Sequence, residues 1–257
     1  YNIITYARRK TNTMEQMQIL LAILVLLPFV SALLLALCGS DRMRRLIVYG
    51  SAGVLMISAV AFAVCFFSGE NLQLRFLQSG GIIDHTMLAL EAGFAVLITV
   101  LSIKYRRYYV AVLSIVQTVL TFVYELGGYK PAVQPYNLFT DQLTVIMVLI
   151  IAVVGTLITV YAVGYMRDYH NHHKEYTDRR RFFFAMLYVF LGAMFGLVLS
   201  NSLLWLYFFW EITSLVSFLL IGYTRTKEAV QNSFRALWMN LLGGLGFAAA
   251  IFWAGVR

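Results

Sequence analysis

The chain has 257 residues, of which 61% are apolar and only 12% charged, with a mean hydropathy of +0.77. Soluble domains carry about a quarter charged residues, so the composition excludes a soluble globule and points to a polytopic membrane protein. The net charge of +8 does not mark a nucleic-acid binder, because the basic residues gather in short connections between apolar runs, where they set topology.

Residues 1–16 form a tail that includes Arg8, Arg9 and Lys10. Met14 directly precedes the first apolar run, so residues 1–13 read as an extension or a misassigned start, the alternative being a real external tail. The run "QILLAILVLLPFVSALLLALC" (Gln18–Cys38) is too long for the apolar region of a signal peptide and has no small-residue cleavage site, so a retained span is expected at 18–38. Pro28 is expected to kink it, with neighbouring helices supporting the freed carbonyl. A second span is expected at 46–67. Cys38 and Cys65 lie at or inside these spans and read as small packing residues, not as a disulfide framework or a zinc site.

Third and fourth spans at 86–103 and 108–125 form a hairpin closed by "KYRR". Glu91 lies a turn or two into the first of them and within reach of the interface. It reads as an interfacial or packing residue rather than an ion ligand. The segment "GGYKPAVQPYN" (Gly127–Asn137) is a turn-rich loop. A fifth span follows at 142–166, then "RDYHNHHKEYTDRRR" (Arg167–Arg181). His170, His172 and His173 crowd together there without a capping cysteine or a distant second pair. A solvated loop docked on a partner subunit suits them better than a metal site.

The last three spans are expected at 182–200, 202–222 and 233–254. The eighth contains "LLGGLGF" (Leu241–Phe247), whose small residues permit close helix packing. All eight read as helices, because a spanning segment must satisfy its own backbone hydrogen bonds. The alternating ten-residue strands of a membrane barrel are missing from the sequence. The expected fold class is therefore an all-α, polytopic transmembrane helix bundle.

The basic residues orient it. Arg42, Arg44, Arg45, Lys104, Arg106, Arg107, Arg167, Lys174, Arg179, Arg180, Arg181, Arg225 and Lys227 follow spans one, three, five and seven, whereas the opposite connections hold only Arg75 and Lys130. That bias assigns the odd-numbered loops to the cytoplasm.

Glu211 stands near the middle of the seventh span, about 13–15 Å from either interface. A bare charge at that depth costs at least about 2.5–3.5 kcal/mol, and a glutamate stem is too short to reach water. The side chain must be protonated, paired or turned to internal water. Tyr207, Ser214 and Ser217 form a weakly polar stripe around it. Desolvation and an approaching cation act in opposite senses on such a group, which suits it to taking up and releasing a proton. Arg235, in the first turn of the eighth span, can snorkel to the headgroups or join the polar path.

"FFWEITSLVSFLLIGY" (Phe208–Tyr223) resembles the fifth-helix signature of the antiporter-like subunits of respiratory complex I, Mrp cation/proton antiporters, group 4 hydrogenases and formate hydrogenlyases. "DQLTVIMVLIIAVVGTLITVYAVGYM" (Asp141–Met166) resembles the third helix, Arg180–Glu211 the fourth running into the fifth, and "AVQNSFRALWMNLLGGLGF" (Ala229–Phe247) the sixth. The likeness covers about 137–250. It implies a division into the tail 1–16, two spans and an external loop over 17–85, an extra hairpin over 86–125, and the start of an antiporter-like core over 137–257. It also implies that Glu211 is the acid of the proton path, with Arg235 on the same hydrophilic axis. In the family that acid works against a lysine on a broken seventh helix, which a further segment or another chain is expected to supply beyond Arg257.

The function favoured by the sequence is a proton- or sodium-translocating subunit of a redox-driven complex I-like or hydrogenase-type complex. The alternatives are a subunit of an Mrp-type antiporter and a non-transporting membrane anchor for a peripheral enzyme. No residue reads as catalytic, and no haem, flavin or iron–sulfur motif occurs in the sequence. The redox reading therefore places iron–sulfur, flavin or nickel–iron centres in peripheral partner subunits, beside other membrane subunits. A prokaryotic cytoplasmic membrane is the expected location.

Overall fold

The computed structural model describes residues 2–68, 75–78, 82–127 and 136–256, with side chains over 13–68, 82–127 and 136–254. Its helices are α1 (Asn2–Leu37), α2 (Asp41–Ser68), α3 (Ile82–Lys104), α4 (Tyr108–Leu126), α5 (Gln142–Ile150), α6 (Thr156–His172), α7 (Arg180–Leu199), α8 (Leu203–Ile221) and α9 (Lys227–Val256). A π-helical turn, Ile151–Gly155, joins α5 to α6, so Gln142–His172 is one span and, among the described residues, eight helices are long and apolar enough to cross a membrane. The chain is an integral membrane protein with the expected all-α, polytopic architecture. Large apolar side chains such as Ile57 and Tyr161, each 72% exposed, cover outward faces suited to lipid.

The helices outrun the hydrophobic segments that announced them. Arg42, Arg44 and Arg45, expected in a loop, occupy the first turns of α2, and α6 continues to His172. Helical hydrogen bonding does not stop where the hydrocarbon stops, so polar end turns extend the spans. The expected turn-rich loop falls mainly on 128–135, outside the described residues. Tyr136–Phe139 nevertheless forms a short strand, β2, that pairs with β1 (Arg75–Gln78) in a two-stranded ribbon. The basic tail at 8–10 is helical in backbone, and its side chains lie outside the described residues.

The chain forms two compact units. The first comprises 1–76 and 138–199, and the second comprises 77–137 and 200–257. In the first, α1 packs on α2 and α7. Helix α1 runs through Pro28 without a break, and Phe29 seats on Gly192 of α7, where a Cβ would lie 2.9 Å from its ring. Ser51 and Tyr188 share a hydrogen bond of 2.6 Å between α2 and α7. The π turn meets α7 at Gly155, where a Cβ would come within 2.5 Å of Leu191. Thr156 donates to Ala152 O at 2.5 Å and Thr159 to Thr156 O at 2.7 Å, so hydroxyls occupy carbonyls around the widened turn.

The second unit is a four-helix bundle in which α4 lies between α3 and α9, and α8 packs on α9 and α3. Asp84, near the start of α3, accepts from Trp205 Nε1 at 3.0 Å and from Asn137 Nδ2 at 2.9 Å, fastening the first turns of α3 and α8. Inside the bundle one apolar layer centres on Ile98, Val110, Leu215 and Phe234, and another on Tyr207, Ala248 and Ile251. The polar residues of functional interest sit within this unit.

Candidate functional site: an interior acid pair

Glu211 is partly buried in mid α8. Tyr207, one turn earlier on the same helix, donates its hydroxyl to Glu211 Oε1 at 2.8 Å. Gln117 of α4 donates its Nε2 to the same oxygen. One turn further along α4, the Thr121 hydroxyl donates to Glu91 Oε1 of α3. Tyr207 is 0% exposed, Glu91 and Thr121 1%, and Gln117 2%. The two carboxylates thus meet α4 one helical turn apart, about 6 Å along its axis, and they interact electrostatically. Among the described residues, their recorded hydrogen-bond donors are all neutral.

Packing fixes the geometry. Phe208 stacks on Phe94 of α3 with centroids 6.1 Å apart, and Tyr207 meets Phe247 of α9 edge-on at 5.6 Å. Gln117 is pressed from the other side by α9, since a Cβ on Gly244 would lie 3.0 Å from Gln117 Oε1. That oxygen is buried and has no hydrogen-bond partner among the described residues. In "LLGGLGF" the close approach is therefore at Gly244, while Gly243 and Gly246 face open space.

The structure redistributes the expected site. Tyr207 lies against Glu211, to which its hydroxyl donates. Ser217 turns back to donate to Thr213 O at 2.7 Å, and Ser214 is buried without a recorded bond to either carboxylate. Arg235 is exposed on α9, one residue beyond the buried Phe234, and is not brought to the acid pair. Of the two readings given for Glu91, interfacial or packing, the interior one fits, since the side chain is 1% exposed and accepts from Thr121. Helix α3 begins at Ile82 and not near 86, so Glu91 lies about 13 Å from its start. Gln117 and Thr121 were not singled out from the sequence. Their signal is the spacing Ser114, Gln117, Thr121, a polar line on one face of an otherwise apolar helix.

The histidines engage separate groups. His170 Nε2 lies 3.8 Å from Asp178, His172 Nδ1 lies 2.8 Å from Asp168 O, and His173 Nδ1 lies 3.1 Å from Glu175. Asp178 is held down to about 2, first by the hydrogen bonds of the Arg180 side chain.

Comparison with known proteins places this bundle. Residues 134–183 match the family described as NADH-ubiquinone oxidoreductase (complex I), chain 5 N-terminus. Residues 200–254, which hold Glu211, match that described as NADH:quinone oxidoreductase/Mrp antiporter, TM. Over these two segments the chain resembles the antiporter-like complex I/Mrp family. A relative named Na(+)/H(+) antiporter subunit A1, from Staphylococcus haemolyticus, is 32% identical over 139 residues, 54% of this chain and 16% of that protein. One of the same name from Staphylococcus aureus (strain JH9) is 27% identical over 184 residues, 65% of this chain and 22% of that protein. The matched region thus spans about a fifth of these curated antiporter-like relatives. Glu91, Gln117 and Thr121 lie outside both family-matched segments, so the second carboxylate and one donor to Glu211 come from the α3–α4 hairpin.

Proposed function

We propose that this chain is part of an Mrp-type cation/proton antiporter subunit of the cytoplasmic membrane, in which Glu211 takes up and releases the transported proton. The relatives' names favour the antiporter over the redox-driven complex that the sequence had favoured. The observation that carries the proton role is Glu211 at mid-span with Tyr207 and Gln117 as its donors. Charging such a site costs at least about 2.5–3.5 kcal/mol without a counter-ion. Two charged acids a turn apart, held by neutral donors, add mutual repulsion. The pair is thus built to retain a proton until a cation approaches and to rebind it when the cation withdraws. A lysine from a further antiporter-like segment or chain is the cation this reading requires, and the basic loops face the cytoplasm. Other membrane subunits complete the assembly.

The test uses everted vesicles containing the assembled complex, with an inward-acid pH gradient imposed by ammonium dilution. Added NaCl, with no electron donor present, should collapse the gradient faster than in vesicles lacking the complex. A complex indifferent to NaCl that moves protons only when given an electron donor would return the redox reading to first place.

A further inference from the structure

The acid pair is not sealed alike in its two directions. Toward the N-terminal end of α4 the interior is the apolar layer of Ile98, Val110, Leu215 and Phe234, with the Ser114 and Ser102 hydroxyls also buried but, among the described residues, no buried carboxylate. Toward its C-terminal end, α4 continues as a line of amide, hydroxyl and carboxyl side chains. Gln117 meets Glu211, Thr121 meets Glu91, and Glu125 follows one turn later, partly buried and interacting electrostatically with Glu91. These positions are four residues apart, about 6 Å per step along the helix. Helix α4 ends at Leu126, so Glu125 stands at its last turn. At the inner end of the line, Gln117 Oε1 is a buried acceptor with no donor among the described residues.

We propose that the α3–α4 hairpin is a one-sided proton inlet to Glu211, with Glu125 at its mouth and Glu91 as the intermediate carrier. The inference rests on reading Glu211 as a proton site. A proton from water at the end of α4 binds the Glu125 carboxylate and passes to Glu91. The two carboxylates meet α4 one turn apart, and a water between them takes the proton of Glu91 and gives one of its own to Glu211. The O–H bond broken at each donor is matched by one formed at each acceptor. The next proton from outside restores Glu125, so no net charge stays in the hairpin. The titratable groups that interact with Glu91 are Glu125 of α4 and Tyr207 and Glu211 of α8, while Tyr124 of α4 lies in the apolar layer around Tyr207. Each of these is an acid, so none of them holds Glu91 in its charged form.

The experiment measures cation-driven proton exchange, and its pH profile, in everted vesicles at matched levels of the complete complex. Glu91→Gln and Glu125→Gln are expected to slow exchange by about 100-fold, the lower end for a lost proton-transfer group. Glu91→Asp should recover part of the rate. Thr121→Val, which keeps the shape and removes the donor to Glu91, should slow exchange and shift the pH profile, which a purely structural role would leave in place. Wild-type rate and profile in Glu91→Gln beside a silent Glu211→Gln would overturn the inlet and leave Glu211 standing. Wild-type exchange by Glu211→Gln would overturn both. Should Glu91→Gln fail to assemble, an unchanged rate and profile in Thr121→Val overturns the inlet.

Discussion

Gly243 and Gly244 are adjacent on α9, yet alanine should act in opposite senses at the two positions. At Gly243 an added Cβ meets nothing within 4 Å. Glycine in a helix interior is less favourable than alanine by roughly 0.5–1 kcal/mol, so Gly243→Ala should stabilise by about that amount. At Gly244 the same Cβ would lie 3.0 Å from Gln117 Oε1 and 3.7 Å from its Cδ. The amide must give by a few tenths of an ångström, but its Nε2 is engaged with Glu211. Overpacking of a well-packed interior costs roughly 1–3 kcal/mol. Set against the gain in helix propensity, Gly244→Ala should be destabilised by up to about 2.5 kcal/mol. It should also slow proton exchange, because the shift is passed to the donor on Glu211. Thermal unfolding of the purified complex in detergent gives the first quantity, and vesicle exchange gives the second. If Gly244→Ala were stabilised as much as Gly243→Ala and exchanged protons normally, the contact of α9 on Gln117 would not be as described.

Single cysteines placed at 105–106, 174–177 and 224–225 should resist membrane-impermeant labelling from outside intact cells, and external labelling of 174–177 would reverse the orientation drawn from the basic residues. Gly192→Ala forces a Cβ to 2.9 Å from the Phe29 ring and should destabilise by about 1–3 kcal/mol, read as a lowered unfolding temperature; no change would mean that α1 and α7 do not touch there. Asp178 is depressed from 3.8 to about 2 by Arg180. Its contribution to stability is therefore present above about pH 4 and is lost as pH falls through about 2. The difference in unfolding temperature between wild type and Asp178→Asn should be small, since the side chain is 49% exposed, and should narrow toward zero over that interval. A difference that widens on acidification would reverse the assignment.

Spans were legible because length and hydropathy act locally, and each expected segment has its helix. Glu211 was legible for the same reason, since depth within an apolar run marks a costly charge. Helix ends were not, because polar turns such as those holding Arg42 and Arg45 carry no hydropathy signal. The Ser114, Gln117, Thr121 line could have been found from its spacing, but not what it faces. A hydroxyl in a span can equally bond its own backbone, as Thr118 does to Ser114 O at 2.8 Å. Placing Gln117 on Glu211 needed the packing of α4 against α9, and the π turn needed Leu191 against Gly155. Neither is a property of one segment. The motif around Glu211 also resembles redox-driven and antiporter subunits alike, so choosing between them needed the relatives.

The most direct test is Glu211→Gln, which keeps shape and hydrogen bonding while removing the titration. At complex levels matched to wild type in everted vesicles, NaCl-driven proton exchange should fall by about 100-fold, the lower end for loss of a group that transfers protons, with assembly near normal. Glu211→Ala should assemble less well, because it also leaves a void beside Tyr207 and Gln117. Exchange by Glu211→Gln at the wild-type rate would contradict the account.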